Sequence, residues 1–223
     1  MPSAIRYTGS DNDPLLILAH GAGADSSSEF MTRMAMLISE HGICVGTFDF
    51  PYMVKRQEDG KKRPPDRAPK LVDAYIKVIE AAGRPCVIGG KSMGGRIASL
   101  VANEQEGDCS SSVVDAEAAS VRDAYVKGCV CLGYPFHPPG KPDNLRTAHL
   151  LTLQTPTMIA QGTRDTMGTR EEVQSYGLDE RLGLIWLEDG NHDLKPRKTS
   201  GFTHDAHLEA TAKSVADFVK RCL

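Results

Sequence analysis

The chain has 223 residues, of which 40% are hydrophobic and 25% charged, an ordinary balance for a globular domain. That length fits one α/β domain over residues 1–223, large enough to bury a full core without disulfide or metal staples. The formal net charge of −3 gives no sign of a nucleic-acid partner, and no apolar run is long enough to span a bilayer.

The N-terminal stretch "MPSAIRYTGSDNDP" lacks the apolar centre of a secretory signal. "LLILAH", Leu15 to His20, is a continuous apolar run and reads as a strand buried on both faces. It ends in Gly21-Ala22-Gly23-Ala24. Ser26 followed by Glu29 has the spacing of a capping box. Phe30, Met34, Leu37 and Ile38 then recur at helical period, and Gly42 closes that helix. "ICVGTFDF" is the next strand. "PYMVKRQEDGKKRPPDRAP" reads as a long loop rich in proline and charge. Leu71, Val72, Tyr75, Val78 and Ile79 mark a second helix that ends at Gly83. "PCVIGG" is a third strand and runs into "KSMGGR", after which Ile97, Leu100 and Val101 continue a helix. A polar, irregular insertion follows at about 104–123. "GCVCLGY" is a fourth strand, and "FHPPGKPDN" is loop because its prolines and glycine exclude regular structure. "TPTMIAQG" and "GLIWLEDG" are the fifth and sixth strands. Leu208, Val215, Phe218, Val219 and Cys222 line one side of a C-terminal helix.

Strands alternate with helices from end to end. The pattern predicts an α/β fold with a mostly parallel central sheet and helices on both faces. Ligands of such sheets bind at the carboxyl ends of the strands. The six cysteines show no C-x-x-C spacing, and most lie in apolar contexts. They read as reduced core thiols, which points to the cytoplasm. Cys129 and Cys131 are two apart and would share one face of their strand.

The third strand leads into two overlapping motifs. Gly90-Lys91-Ser92 matches the end of a phosphate-binding loop, while Gly90-Lys91-Ser92-Met93-Gly94 matches the G-x-S-x-G turn that carries a serine nucleophile. The phosphate loop needs a glycine at position 85 and a flexible turn after it. Position 85 is Pro85, and Cys86, Val87 and Ile88 belong to an apolar strand. The nucleophile motif has the strand before it and the helix after it that its geometry demands. A serine hydroxyl then needs a histidine base that is itself held by a carboxylate. In this architecture the chain order is Ser, Asp or Glu, His. Asp165 follows the fifth strand and His192 the sixth, which fits that order. Either alone reads equally well as a loop residue, and Asp189 stands as a fallback carboxylate. The backbone N–H groups of Met93 and Ala22, with Gly23 close behind, are the candidate oxyanion donors. Tyr52, Tyr134, Phe136 and His137 are candidate walls of a substrate pocket, or equally loop packing. Lys91 and Arg96, with Lys195, Arg197 and Lys198, form either a basic rim or an ordinary solvated face.

With these residues in place, the sequence resembles a small α/β-hydrolase family. It includes the testis-expressed-thirty-like proteins and the hydrolase-like domain of a histone-acetyltransferase complex subunit, and is related to the dienelactone hydrolases. The resembling stretches are "HGAGA", "FPYM", "RPPDRAP", "GGKSMGGR", "LGYPFHPPGKP", "QGTRD" and "WLEDGNHDLKPRK", spread from about residue 19 to 200. The resemblance implies an α/β-hydrolase fold with Ser92, Asp165 and His192 as a triad, and supplies no substrate. The residues themselves predict a serine hydrolase of an ester, thioester or related acyl bond of a small molecule, with no cofactor or metal expected. The insertion at about 104–123 departs from the shorter connection expected. The competing expectation is an interaction module on a hydrolase scaffold, since a fold does not dictate function. Oligomeric state is not legible in the sequence.

Overall fold

A computed structural model describes residues 4–103 and 124–223. The insertion expected at about 104–123 lies outside the described residues. Seven strands form one sheet in the order β1-β3-β2-β4-β5-β6-β7. They are β1 (Arg6–Thr8), β2 (Leu15–Ala19), β3 (Cys44–Phe48), β4 (Cys86–Lys91), β5 (Val126–Leu132), β6 (Thr157–Gly162) and β7 (Leu182–Leu187). All neighbouring pairs are parallel except β1 with β3, which is antiparallel. β1 is an addition to the six expected strands. It is three residues long and half exposed, too short to show an apolar period.

The sheet is covered on both sides because its strands are apolar at successive positions. In β2, Leu15, Ile17 and Ala19 face one core while Leu16 and Leu18 face the other. The first core is closed by α2 (Pro51–Asp59), α3 (Ala68–Ala82), α4 (Met93–Asn103) and α5 (Arg170–Ser175). The second is closed by α1 (Glu29–Ser39) and α6 (His204–Cys222). Cys129 and Cys131 both belong to the first core, and the five described cysteines are free thiols.

Two local expectations are corrected. The segment from Pro51 is a helix, not loop, up to Asp59. Pro51 occupies the first helical turn, where its missing N–H costs nothing, and Gly60 ends the helix in the left-handed conformation at φ 69°. Only Tyr52 and Met53 of α2 are buried, so its apolar period is faint. The capping box at Ser26 and Glu29 is also absent. Helix α1 starts after Ser28, while the Ser26 hydroxyl accepts a bond from Arg6 and its N–H donates to Asp49 Oδ1 at 2.8 Å. A complete capping box instead opens α5, between Thr169 and Glu172.

Candidate active site

Ser92 is the single residue between β4 and α4, and its φ is 53°. A non-glycine residue there is strained, and such strain persists only where the surroundings hold it. Its N–H donates to Leu132 O at 2.9 Å, and its carbonyl accepts from Arg96 N–H at 3.0 Å. The glycines on either side permit the close approach. A Cβ at Gly90 or at Gly94 would lie 2.4 Å from Ala19 O. The turn therefore sits hard against the end of β2.

The other two expected residues converge on this serine from later strand ends. Asp165 follows β6 and His192 follows β7, and both lie at the carboxyl edge of the sheet. His192 Nε2 is 2.8 Å from Ser92 Oγ, and His192 Nδ1 is 2.7 Å from Asp165 Oδ2. The carboxylate can only accept, so Nδ1 carries the proton and Nε2 is left to accept from the serine hydroxyl. Asp165 is fully buried. Its Oδ1 accepts from Met167 N–H at 2.9 Å, and its Oδ2 also accepts from Gln161 Nε2 at 2.9 Å. Asp189 is not brought to His192. Its carboxylate pairs with Arg197 and Arg164, and the Arg197 bonds hold its pKa down at about 2.

Sequence reasoning missed two residues that support this arrangement. Gln161 is fully buried at the end of β6. Its amide oxygen accepts from Tyr134 N–H at 2.7 Å, while its nitrogen reaches Asp165. The available signal was a glutamine inside an otherwise apolar strand, since buried polar groups are retained for their partners. Lys91 is the other. It lines the cavity beside Ser92, as does Lys195, and its Nζ donates to His192 O at 2.7 Å, meets Asp193 Oδ1 at 3.2 Å and lies 5.3 Å from the centre of the Phe30 ring. Burial lowers its pKa, against the opposing pull of Asp193. No sequence signal marks this role, because the partner is 101 residues away.

A cavity of about 760 Å³ opens beside Ser92 and His192. The Gly21–Ala24 loop, Phe30, Arg33 and Leu208 are among its walls. Ala22, the candidate oxyanion donor, is one of the cavity walls. Met93 opens α4, so its N–H is among the first-turn donors that have no partner within the helix. The four expected wall residues are corrected: Tyr52, Tyr134, Phe136 and His137 are all buried, and none lines this cavity. Tyr134 and Phe136 stack edge to face at 4.8 Å in the first core. His137 faces Glu172 at 3.6 Å. The single Tyr52 hydroxyl proton is shared between Ala22 O at 3.1 Å and Gly21 O at 3.3 Å. The apolar bodies of Tyr52, Tyr134 and Phe136 are taken into the first core, while His137 is buried against Glu172.

Among the described residues no cluster of His, Cys, Asp and Glu is arranged to hold a metal ion, and no helix is long and apolar enough to cross a membrane. A family model described as "Alpha/beta hydrolase domain" matches residues 12–220. Solved structures of the same fold include an alpha-beta serine hydrolase homologue from Coxiella burnetii, 15% identical, with a TM-score of 0.65 over 96% of this chain and 89% of that one. Est1E from Butyrivibrio proteoclasticus, with ferulic acid bound, is 16% identical, with a TM-score of 0.65 over 98% and 94% of the two chains. Dienelactone hydrolase from Anabaena variabilis is 16% identical, with a TM-score of 0.66 over 97% and 90%.

Proposed function

The chain belongs to the alpha/beta hydrolase domain family, and from that premise we propose that it is a serine hydrolase of ester, thioester or related acyl bonds, with Ser92, His192 and Asp165 as its triad. The observation that carries this reading is the unbroken path from Ser92 Oγ through both ring nitrogens of His192 to Asp165, at 2.8 and 2.7 Å. A scaffold without chemistry has no need of a buried carboxylate, a histidine in the matching tautomer and a strained serine at one end of a cavity.

In the proposed reaction Ser92 Oγ attacks the acyl carbon as His192 Nε2 takes its proton. The carbonyl π electrons move to the oxygen, which the N–H groups of Ala22 and Met93 stabilise. Collapse breaks the bond to the leaving alcohol or thiol, which receives the proton from His192, and leaves an acyl-serine. Water then attacks with His192 again as base, releasing the acid and restoring Ser92. Asp165, bonded to His192 Nδ1 at 2.7 Å, orients the ring and favours the imidazolium that forms in each step.

A panel of p-nitrophenyl esters and thioesters, run beside Ser92→Ala, tests the proposal. Turnover by the wild type and a fall of about 10⁴–10⁶-fold in the variant are expected. Equal labelling of wild type and variant by a fluorophosphonate would sink it.

A further inference from the structure

The loop after β2 is built from Gly21, Ala22, Gly23 and Ala24, so it has almost no side chains with which to hold its own shape. Its carbonyls are held instead. Gly21 O lies 2.6 Å from His20 Nδ1 and 3.3 Å from the Tyr52 hydroxyl. Ala22 O accepts from the same hydroxyl at 3.1 Å, and Gly23 O accepts from Arg56 Nη1 at 3.3 Å. Three consecutive carbonyls are thus engaged by one buried histidine and two α2 side chains.

The chemistry of each contact is determined. Phe50 N–H donates to His20 Nε2 at 3.1 Å, so His20 carries its proton on Nδ1 and donates it to Gly21 O. Burial lowers the pKa of His20, which favours this neutral form. Tyr52 and Arg56 are four apart and share one face of α2. A trans peptide group is planar, with the carbonyl of one residue opposed to the N–H of the next, and the chain has no cis bonds among the described residues. Holding Gly21 O and Ala22 O therefore sets the direction of the Ala22 and Gly23 N–H groups, on the opposite side of the chain. Gly21, Ala22 and Gly23 line the cavity together with Ser92.

We infer that His20, Tyr52 and Arg56 are a carbonyl clamp that orients the Ala22 and Gly23 N–H groups as oxyanion donors, with α2 as its supporting element. The inference rests on the serine-hydrolase reading for its catalytic consequence, and on the hydrogen bonds alone for the clamp. Tyr52 is a positioning residue. Its hydroxyl touches neither Ser92 nor His192, and it acts through two carbonyls. The value of the clamp is preorganisation: donors already aimed at the developing charge need no reorganisation when the reaction occurs.

Tyr52→Phe keeps the buried ring and removes only the hydroxyl. In the full-length protein its kcat is expected to fall about 10- to 100-fold with KM within about twofold, a smaller loss than the 10²–10³-fold of deleting a donor outright. Arg56→Met, at the exposed end of the clamp, is expected to lower kcat less. In parallel, without substrate, the backbone amides of Ala22 and Gly23 are followed by NMR relaxation. They are expected to become more mobile in Tyr52→Phe while amides of β2 and α4 do not change. Rigid amides with unchanged kcat overturn the clamp. Loosened amides with unchanged kcat overturn the oxyanion role. A rise in KM with kcat unchanged assigns Tyr52 to substrate binding and overturns it too. Wild type that carries no fluorophosphonate on Ser92 overturns the hydrolase reading itself, and the relaxation data then judge the clamp by itself.

Discussion

At the scale of single residues, the candidate site depends on side chains whose partners are remote in the chain. Ser92 and His192 are 100 residues apart, and Lys91 reaches the backbone of the same histidine. The Lys91 bond ties the end of β4 directly to the loop that carries the base, beside the nucleophile. Lys91→Met keeps most of the apolar stem and removes the donor. We expect kcat to fall about 10–100-fold, the scale set by small misplacements of a reacting group, with little change in the labelling site. An unchanged kcat against p-nitrophenyl esters would show that the His192 loop holds its shape without this bond. The three letters Gly-Lys-Ser thus acquire a meaning in this fold unrelated to phosphate. The lysine is an internal strut, and the glycine is required because Ala19 O leaves no room for a Cβ.

At the scale of elements, the long periodic segments were the legible ones. α1, α3, α4 and α6 bury five to eight residues each on one face, and that periodicity is written in the sequence. α2 and α5 bury two residues and one, so nothing periodic marks them. The short 3-10 turn at Ala148–Leu151 is of the same kind, and it brings His149 against α4. There the Ser99 hydroxyl donates to Arg96 O and the Tyr134 hydroxyl to Arg146 O, so the histidine N–H at Nε2 donates to Ser99 Oγ at 2.9 Å. Burial, aided by the charge of Arg96, lowers the His149 pKa from 6.5 to about 4. The unfolded chain then takes up this proton first as pH falls. Stability is fully present above about pH 6.5 and is lost between there and pH 4. Comparing urea unfolding at pH 7 and pH 4.5, His149→Gln is expected to reduce the acid loss by about 2–3 kcal/mol. The part due to His20, which burial also keeps neutral, remains in the variant. An acid loss equal to that of the wild type would contradict the assignment.

At the scale of the whole molecule, two cores meet across one sheet, and Tyr75 joins the strands that carry the site. Its hydroxyl is fully buried, 2.7 Å from both Ile17 O and Gly89 O and 2.9 Å from Gly89 N. It bridges β2 and β4, which end in the candidate oxyanion loop and in Ser92. Tyr75→Phe would leave these backbone groups without that partner. A loss of about 1–3 kcal/mol in the urea unfolding free energy is expected, and no loss would mean that the strands re-pair without the hydroxyl.

The parallel strands, the long helices and the chain order of Ser92, Asp165 and His192 follow from the sequence alone. Apolar period and turn chemistry are local properties, and a residue just past a strand of a parallel sheet can only lie at its carboxyl edge. The identity of the cavity walls was decided by the tertiary structure. Tyr52, Tyr134, Phe136 and His137 lie in loop-like stretches beside the expected site, yet burial draws them into the body, while α1 and α6 contribute Phe30, Arg33 and Leu208 instead. The struts Lys91, Gln161 and Tyr52 were likewise decided only there. Lys91 and Tyr52 answer backbone carbonyls 101 and about 30 residues away, and Gln161 joins Asp165, four residues on, to Tyr134, 27 residues back. The need for such partners appears only once folding has removed water from these groups.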